Sequence, residues 1–192
     1  TSMGAVAVPL LPDFHENEIQ NILEHSETKA IFVSKLMYSK IENLESNLLD
    51  IIIYTDDFEI VKGNVNSNLE NDNSCYADES DIASIVYTSG TTGKSKGVML
   101  THKNIVFDAI QVLTIEPVKS RHRFLSILPL SHTYENTLGL IVPIMQGASV
   151  YYLEKPPTAN ALLPAMSKVK PTHILSVPMV IEKVYRNQVL PK

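Results

Sequence analysis

Apolar residues recur along this chain with two alternating periods. Val6, Val8, Leu10 and Leu11 form a short apolar run punctuated by Pro9 and Pro12, and Ile19, Ile22 and Leu23 then follow at the three- and four-residue spacing of a helix face. A buried strand followed by a helix from Glu16 to His25 is predicted. Ala30 to Val33 is apolar and β-branched, Leu36 to Leu49 is periodic at three and four residues, and Ile51 to Tyr54 is apolar throughout, which reads as strand, helix and strand. Between Gly63 and Ser80 the apolar content drops, and Asn64, Asn66, Asn68, Asn71 and Asn73 crowd a stretch that buries little surface. A mobile Asn-rich loop is expected there, over about 63–80.

The apolar pattern resumes at Ile82 to Tyr87, a strand preceded by Asp81, and again at Gly97 to Thr101, with a segment of small residues between them. Thr101 is placed to cap a helix from His102 to about Ile115, in which Ile105, Val106, Ala109, Ile110 and Leu113 form one face before Pro117 stops it. Three more strands are predicted at Phe124 to Leu128, Val150 to Leu153 and His173 to Val177, with helices starting near His132, Thr158 and Pro178. The whole pattern is that of an α/β protein with mainly parallel sheets flanked by helices.

Composition narrows the function classes. With 192 residues, 44% of them hydrophobic and 19% charged, the chain has the makings of one packed domain or part of one. Lys and Arg number 16 against 21 Asp and Glu, so the net charge of -5 argues against a nucleic-acid partner. Cys75 is the single cysteine and suits a reducing, cytoplasmic setting. The apolar stretch from Leu138 to Met145 is broken by Gly139 and Pro143, well short of the roughly 20 residues of a membrane helix. The opening Thr1-Ser2-Met3 has neither an initiator Met nor a basic leader, so the start is expected to be a cut.

The segment between the two central strands carries the chemistry. Gly90, Gly93 and Gly97 fall within Tyr87-Thr88-Ser89-Gly90-Thr91-Thr92-Gly93-Lys94-Ser95-Lys96-Gly97-Val98. Glycines permit positive φ and close backbone approach, exposed N–H groups form an anion nest, and the hydroxyls add donors. Lys94 and Lys96 bring positive charge to this point of an acidic chain. Such a loop fits a polyphosphate; a polar hairpin loop is the plainer reading. Two other nucleotide motifs fail. Gly93-Lys94-Ser95 imitates the end of a Walker loop, but the first glycine of that pattern would fall at Thr88, and strand-like Val98-Met99-Leu100 follows. The dinucleotide pattern G-x-G-x-x-G has no match.

The segment resembles, almost letter for letter, the phosphate-loop signature of the AMP-forming adenylate ligases, the superfamily of acyl-CoA synthetases, luciferases and nonribosomal adenylation domains. Ser95 stands where that signature usually has Pro, and Lys96 keeps its lysine. Gly4 to Leu10 followed by Glu18-Ile19 and Ile22-Leu23 is similar to the family's upstream strand and helix. Leu128-Pro129-Leu130-Ser131-His132-Thr133-Tyr134-Glu135 is similar to its second motif, in the form found among long-chain fatty acyl-CoA synthetases.

The resemblance implies a fragment, residues 1–192, of an N-terminal AMP-binding domain, belonging to an enzyme that activates a carboxylate with ATP and Mg2+ and passes the acyl group to coenzyme A. It implies Thr88, Ser89, Gly90, Thr91, Thr92, Gly93 and Lys96 as the nucleotide-phosphate contacts, with Thr88 also on magnesium. Lys96 and His132 are implied as catalytic, and His132 and Glu135 as lining the acyl side. The implied substrate is a fatty acid, and peripheral membrane contact of the parent enzyme fits that substrate. His132 and Glu135 also have a purely structural reading, as a helix start with Ser131 as the cap and Glu135 favourably placed in the first turn; Tyr134 reads as packing.

His15, His25, His102, His122 and His173 are scattered without metal-ligand spacing. The family's later motifs contain glycine, whereas the last glycine here is Gly147. Those motifs, and the C-terminal lid domain with its catalytic lysine, are therefore expected to be absent and the fragment to be inactive by itself. A nucleotide-binding regulatory module without catalysis is the alternative, and a purely structural α/β domain a second one.

Overall fold

The computed structural model describes residues 4–44, 49–63, 76–88, 96–153 and 156–188. The chain divides into two compact units, Thr1–His102 and Lys103–Lys192.

In the first unit, α1 (Glu16–His25) buries Ile19, Ile22 and Leu23 on one face. Glu16 and Glu18 occupy its first turn, where they complement the helix dipole, and the Glu18 carboxylate accepts a hydrogen bond from the His15 backbone N–H at 2.9 Å. Strand β1 (Ala30–Val33) pairs in parallel with β2 (Ile51–Tyr54), and β2 pairs antiparallel with β3 (Ile60–Lys62). Strand β4 (Ile82–Thr88) forms a separate antiparallel ladder with β5 (Lys96–Thr101). One core joins these elements: Ile19, Ile22 and Leu23 of α1, Ile31 and Val33 of β1, Ile52 of β2 and Tyr87 of β4 pack together with Phe14, Ile41 and Leu49.

Two expectations for this unit need correction, and one strand is new. The run from Val6 to Leu11 is not a strand; Ala7 alone makes a parallel bridge to Ser84. Its N–H donates to the Ala83 carbonyl, its carbonyl accepts from the Ile85 N–H, and Pro9 and Pro12 have no N–H with which to extend the ladder. The stretch from Leu36 begins as a 3-10 helix (Lys35–Lys40), with Leu36 87% exposed, so its periodicity does not produce a long helix face. Strand β3 was not expected; the chain reverses through Phe58, whose φ is 60°, and the β-branched pair Ile60-Val61 supplies the returning strand. Gly63 then leaves the strand at φ +97°, where a Cβ would run into the Asp50 carbonyl oxygen. Most of the Asn-rich stretch, residues 64–75, lies outside the described residues.

The second unit is a parallel three-stranded sheet, ordered β7-β6-β8, with β6 (Arg123–Ser126) central between β7 (Ser149–Tyr152) and β8 (His173–Ile174). Phe124, Leu125, Ser126 and Ile127 are all buried, as expected of a central parallel strand covered on both faces. Parallel neighbours need crossovers, and helices supply them. Helix α2 (His102–Ile115) leads in with the predicted bounds. The path from β6 to β7 runs through α3 (Thr133–Glu135), a π-helical stretch (Asn136–Ile141) and α4 (Val142–Met145). The path from β7 to β8 runs through α5 (Ala159–Val169), and α6 (Pro178–Gln188) follows β8.

Strand β8 is shorter than the predicted run to Val177: it ends at Ile174, and α6 opens at Pro178. At the end of α5, Lys170 takes a left-handed conformation, φ 49° and ψ 59°. Arg123 satisfies the helix's terminal carbonyls, donating from Nε to Val169 O at 3.1 Å and from Nη2 to Lys170 O at 2.8 Å.

Candidate functional site

The β4–β5 ladder is the stem of the glycine-rich segment. Its register pairs Ile85 with Met99, Val86 with Val98, Tyr87 with Gly97 and, at the open end, Thr88 with Lys96. Ser89, Gly90, Thr91, Thr92 and Gly93 lie outside the described residues, so of the expected phosphate contacts the structure places Thr88 and Lys96. Both are exposed. Directly opposed residues of an antiparallel pair project from the same face with Cβ atoms about 5 Å apart. A hydroxyl and an ammonium group therefore flank the two ends of the loop together. Because Lys96 opens a strand, a helix running on from Gly93, as a Walker loop would require, is excluded at that point.

Gly97 is a requirement of the stem. A Cβ there would stand 2.9 Å from Ile85 Cγ2 and 3.2 Å from Tyr87 Cζ, because the Tyr87 ring lies across the position. Tyr87 is 4% exposed, and burial pushes its phenol above its ordinary pKa.

His132 and Glu135 lie in the second unit, on either side of a short helix start. The cap of α3 is His132 itself, where Ser131 was expected: its Nδ1 accepts a hydrogen bond from the Tyr134 N–H at 3.3 Å. The His132 N–H donates to Pro129 O at 3.0 Å, and Asn136 Nδ2 donates to Leu130 O at 3.2 Å, so the turn entering the helix is bound at several points. The His132 side chain stays exposed, and Tyr134, read from sequence as packing, is also 40% exposed.

Glu135 points the other way and is 0% exposed. Neither of its carboxylate oxygens has a hydrogen-bond partner among the described residues. Burial, the larger influence, raises its pKa above the usual carboxylate value, and the Ser126 hydroxyl acts in the opposite direction. The carboxyl group occupies space left by Gly139 one turn on, where a Cβ would lie 2.6 Å from Glu135 Oε1. Sequence reasoning missed Gly139; the four-residue spacing of Glu135 and Gly139 was the available signal.

Two of the histidines described above as scattered meet in the second unit. His122 and His173 approach to 4.7 Å between ring centroids, His173 stacks on Phe124 at 4.5 Å, and His173 Nε2 lies 3.4 Å from Glu116 Oε1. Burial, then the neighbouring His173, lowers the His122 pKa. No group of three or more His, Cys, Asp or Glu side chains among the described residues is arranged to hold a metal ion.

The family model for the AMP-binding enzyme matches residues 1–192. The chain belongs to the AMP-binding enzyme family. Among its curated relatives in this family, the long-chain-fatty-acid–CoA ligase ACSBG2 of Rattus norvegicus is 30% identical over 175 residues, covering 88% of this chain and 26% of the relative. The long chain acyl-CoA synthetase 2 of Arabidopsis thaliana is 28% identical over 211 residues, covering 96% of this chain and 31% of the relative. The chain thus spans about a third or less of these ligases.

The anthranilate CoA ligase AuaEII, solved in complex with anthranoyl-AMP, superposes with a TM-score of 0.76 at 24% identity, over 93% of this chain and 36% of the ligase. The O-succinylbenzoate coenzyme A synthetase MenE of Bacillus subtilis, solved with ATP and a magnesium ion, gives 0.75 at 22% identity, over 95% and 36%. At these identities the likeness establishes a shared fold, the α/β fold expected from the periodicity. No described helix is long and apolar enough to cross a membrane.

Proposed function

We propose that this AMP-binding chain is the phosphate-handling and acyl-entrance part of a longer, cytoplasmic, AMP-forming acid–thiol ligase, acting on long-chain fatty acids with coenzyme A as acceptor. The single observation that carries the reading is the Thr88–Lys96 rung at the mouth of the β4–β5 hairpin, which sets a hydroxyl and an ammonium group at the two ends of a glycine- and threonine-rich segment. The acyl specificity is supported by the names of the rat and Arabidopsis relatives.

In the first half-reaction a carboxylate oxygen attacks the α-phosphorus of ATP, the bond from that phosphorus to the bridging oxygen breaks, and pyrophosphate leaves with the electron pair. Negative charge grows on the leaving pyrophosphate. Lys96, with the backbone amides of residues 89–93 and the hydroxyls of Ser89, Thr91 and Thr92, is the set that the motif implies for stabilising that charge. In the second half-reaction the coenzyme A thiolate attacks the acyl carbonyl, the carbonyl–oxygen bond to AMP breaks, and AMP departs. His132, exposed on its capping turn, borders the acyl and thiol entrance in this reading. Glu135 acts from beneath, filling the space over Gly139 and shaping the turn that presents His132.

A magnesium ion suits the donor set only in part: Thr88 offers one hydroxyl oxygen, and the remaining oxygen ligands would come from the phosphates and water. When bound, the ion neutralises phosphate charge.

The test is to supply ATP, magnesium, a series of fatty acids and coenzyme A to the 192-residue chain and to the longer ligase, and to measure AMP, pyrophosphate and acyl-CoA. The longer ligase should form the three in equal amounts. The chain alone should be silent, because fixing nucleoside and carboxylate in line is worth roughly 7–11 kcal/mol of barrier. ADP as product, AMP release independent of acid, or full turnover by the chain alone would overturn the reading.

A further inference from the structure

The last residue of α1 reaches the base of the phosphate hairpin. His25 Nδ1 lies 2.6 Å from the Tyr87 hydroxyl across 62 positions of sequence, and the two rings meet edge to face at 5.7 Å and 87°. Tyr87 immediately precedes Thr88 and is the cross-strand partner of Gly97, so it forms the rung directly beneath Thr88–Lys96. Its ring lies across Gly97 and within the core cluster that includes Ile19, Ile22 and Leu23 of α1. Packing alone would hold a phenylalanine in that place. The hydroxyl adds a directional tie to His25 Nδ1 that a phenylalanine would lack.

We propose that His25 is a positioning residue for phosphate binding: through the Tyr87 hydroxyl it fixes the depth of the ring against Gly97 and so sets the Thr88–Lys96 rung from which the phosphate segment springs. The inference rests on the ligase reading for what the loop binds, and on the hydrogen bond and the register for how the rung is held. His25 touches no reacting atom in this scheme; it acts through Tyr87.

The experiment compares His25→Ala, His25→Asn and Tyr87→Phe with wild type. Asparagine retains an acceptor near the position of Nδ1, so it serves as the conservative rescue. In the 192-residue chain, amide hydrogen exchange at residues 87–88 and 96–97 should quicken about tenfold in His25→Ala and Tyr87→Phe, with α1 and β1 unchanged and His25→Asn close to wild type. In the longer ligase, the same two variants should raise the KM for ATP about tenfold while the KM for the fatty acid stays within about twofold. Unchanged exchange at those four amides, loss of protection spread over the whole unit, or equal rises in both KM values would overturn the proposal. A wild-type ligase that makes no AMP would instead sink the ligase reading, and the exchange data would still decide whether His25 holds the rung.

Discussion

The carboxyl group of Glu135 lies over Gly139, so close that a Cβ on the glycine would stand 2.6 Å from Oε1 and 2.8 Å from Cδ. An acidic side chain is thus buried one helical turn from the residue whose missing side chain admits it. The four-residue offset holds the two within the segment that passes from α3 into the π-helical turns.

Gly139→Ala should therefore destabilise the second unit. Overpacking costs about 1–3 kcal/mol, and the better helix propensity of alanine returns roughly 1 kcal/mol, so a net loss is expected in urea unfolding. In a Glu135→Ala background the collision partner is gone, and the same substitution should become neutral or stabilising. Equal effects in the two backgrounds would show that the glycine answers to something else.

Stability should also depend on pH through Glu135. Burial raises its folded pKa above the ordinary 4.5, so the folded chain keeps a proton that the unfolded chain releases. Above the ordinary value and up to the raised one, the folded state binds more protons, and stability falls as pH rises. Below the ordinary value both states are protonated and the penalty vanishes. Glu135→Gln should remove this fall, so that unfolding midpoints of wild type and variant diverge as pH rises above the ordinary 4.5; parallel curves would contradict the sign.

His132 carries two separable roles. His132→Ala removes the α3 cap and should cost about 0.5–2 kcal/mol, whereas His132→Asn supplies another capping side chain and should cost little. In the longer ligase, the asparagine variant should nevertheless alter fatty-acid chain preference or slow acyl-CoA formation. Wild-type preference and rate in that variant would leave His132 as a cap alone.

For Lys96→Ala the expected signature is kinetic. As an exposed residue at the start of β5 its loss should change stability by no more than about 0.5 kcal/mol. Acid-dependent pyrophosphate exchange in the longer ligase should fall about 10²- to 10³-fold, with the fatty-acid KM little changed. Exchange at the wild-type rate would remove Lys96 from the charge-stabilising role.

What could be read from the chain itself was what short-range chemistry dictates. Helices α1 and α2 appear at their expected bounds because apolar spacing and flanking turn residues act within a few positions. Strands β1 and β2 appear likewise, since a β-branched apolar run has few alternatives. The glycine-rich segment was recognisable from its letters, and so was the need for a strand on each side of it.

Other features depended on partners far along the chain. The run from Val6 to Leu11 has strand-like composition, but only Ala7 finds a ladder, because pairing needs a neighbouring edge and free N–H groups. The α3 cap passed from Ser131 to His132 because the turn from Pro129 to Asn136 decided which side chain reached the Tyr134 N–H. The burial of Glu135, with Val142 and the Ser126 end of β6 also buried, and the bond from His25 to Tyr87 follow from which surfaces pack together. Local sequence fixes a residue's period and propensity; whether its polar atom meets solvent, a partner or a cavity is settled only when distant elements close around it.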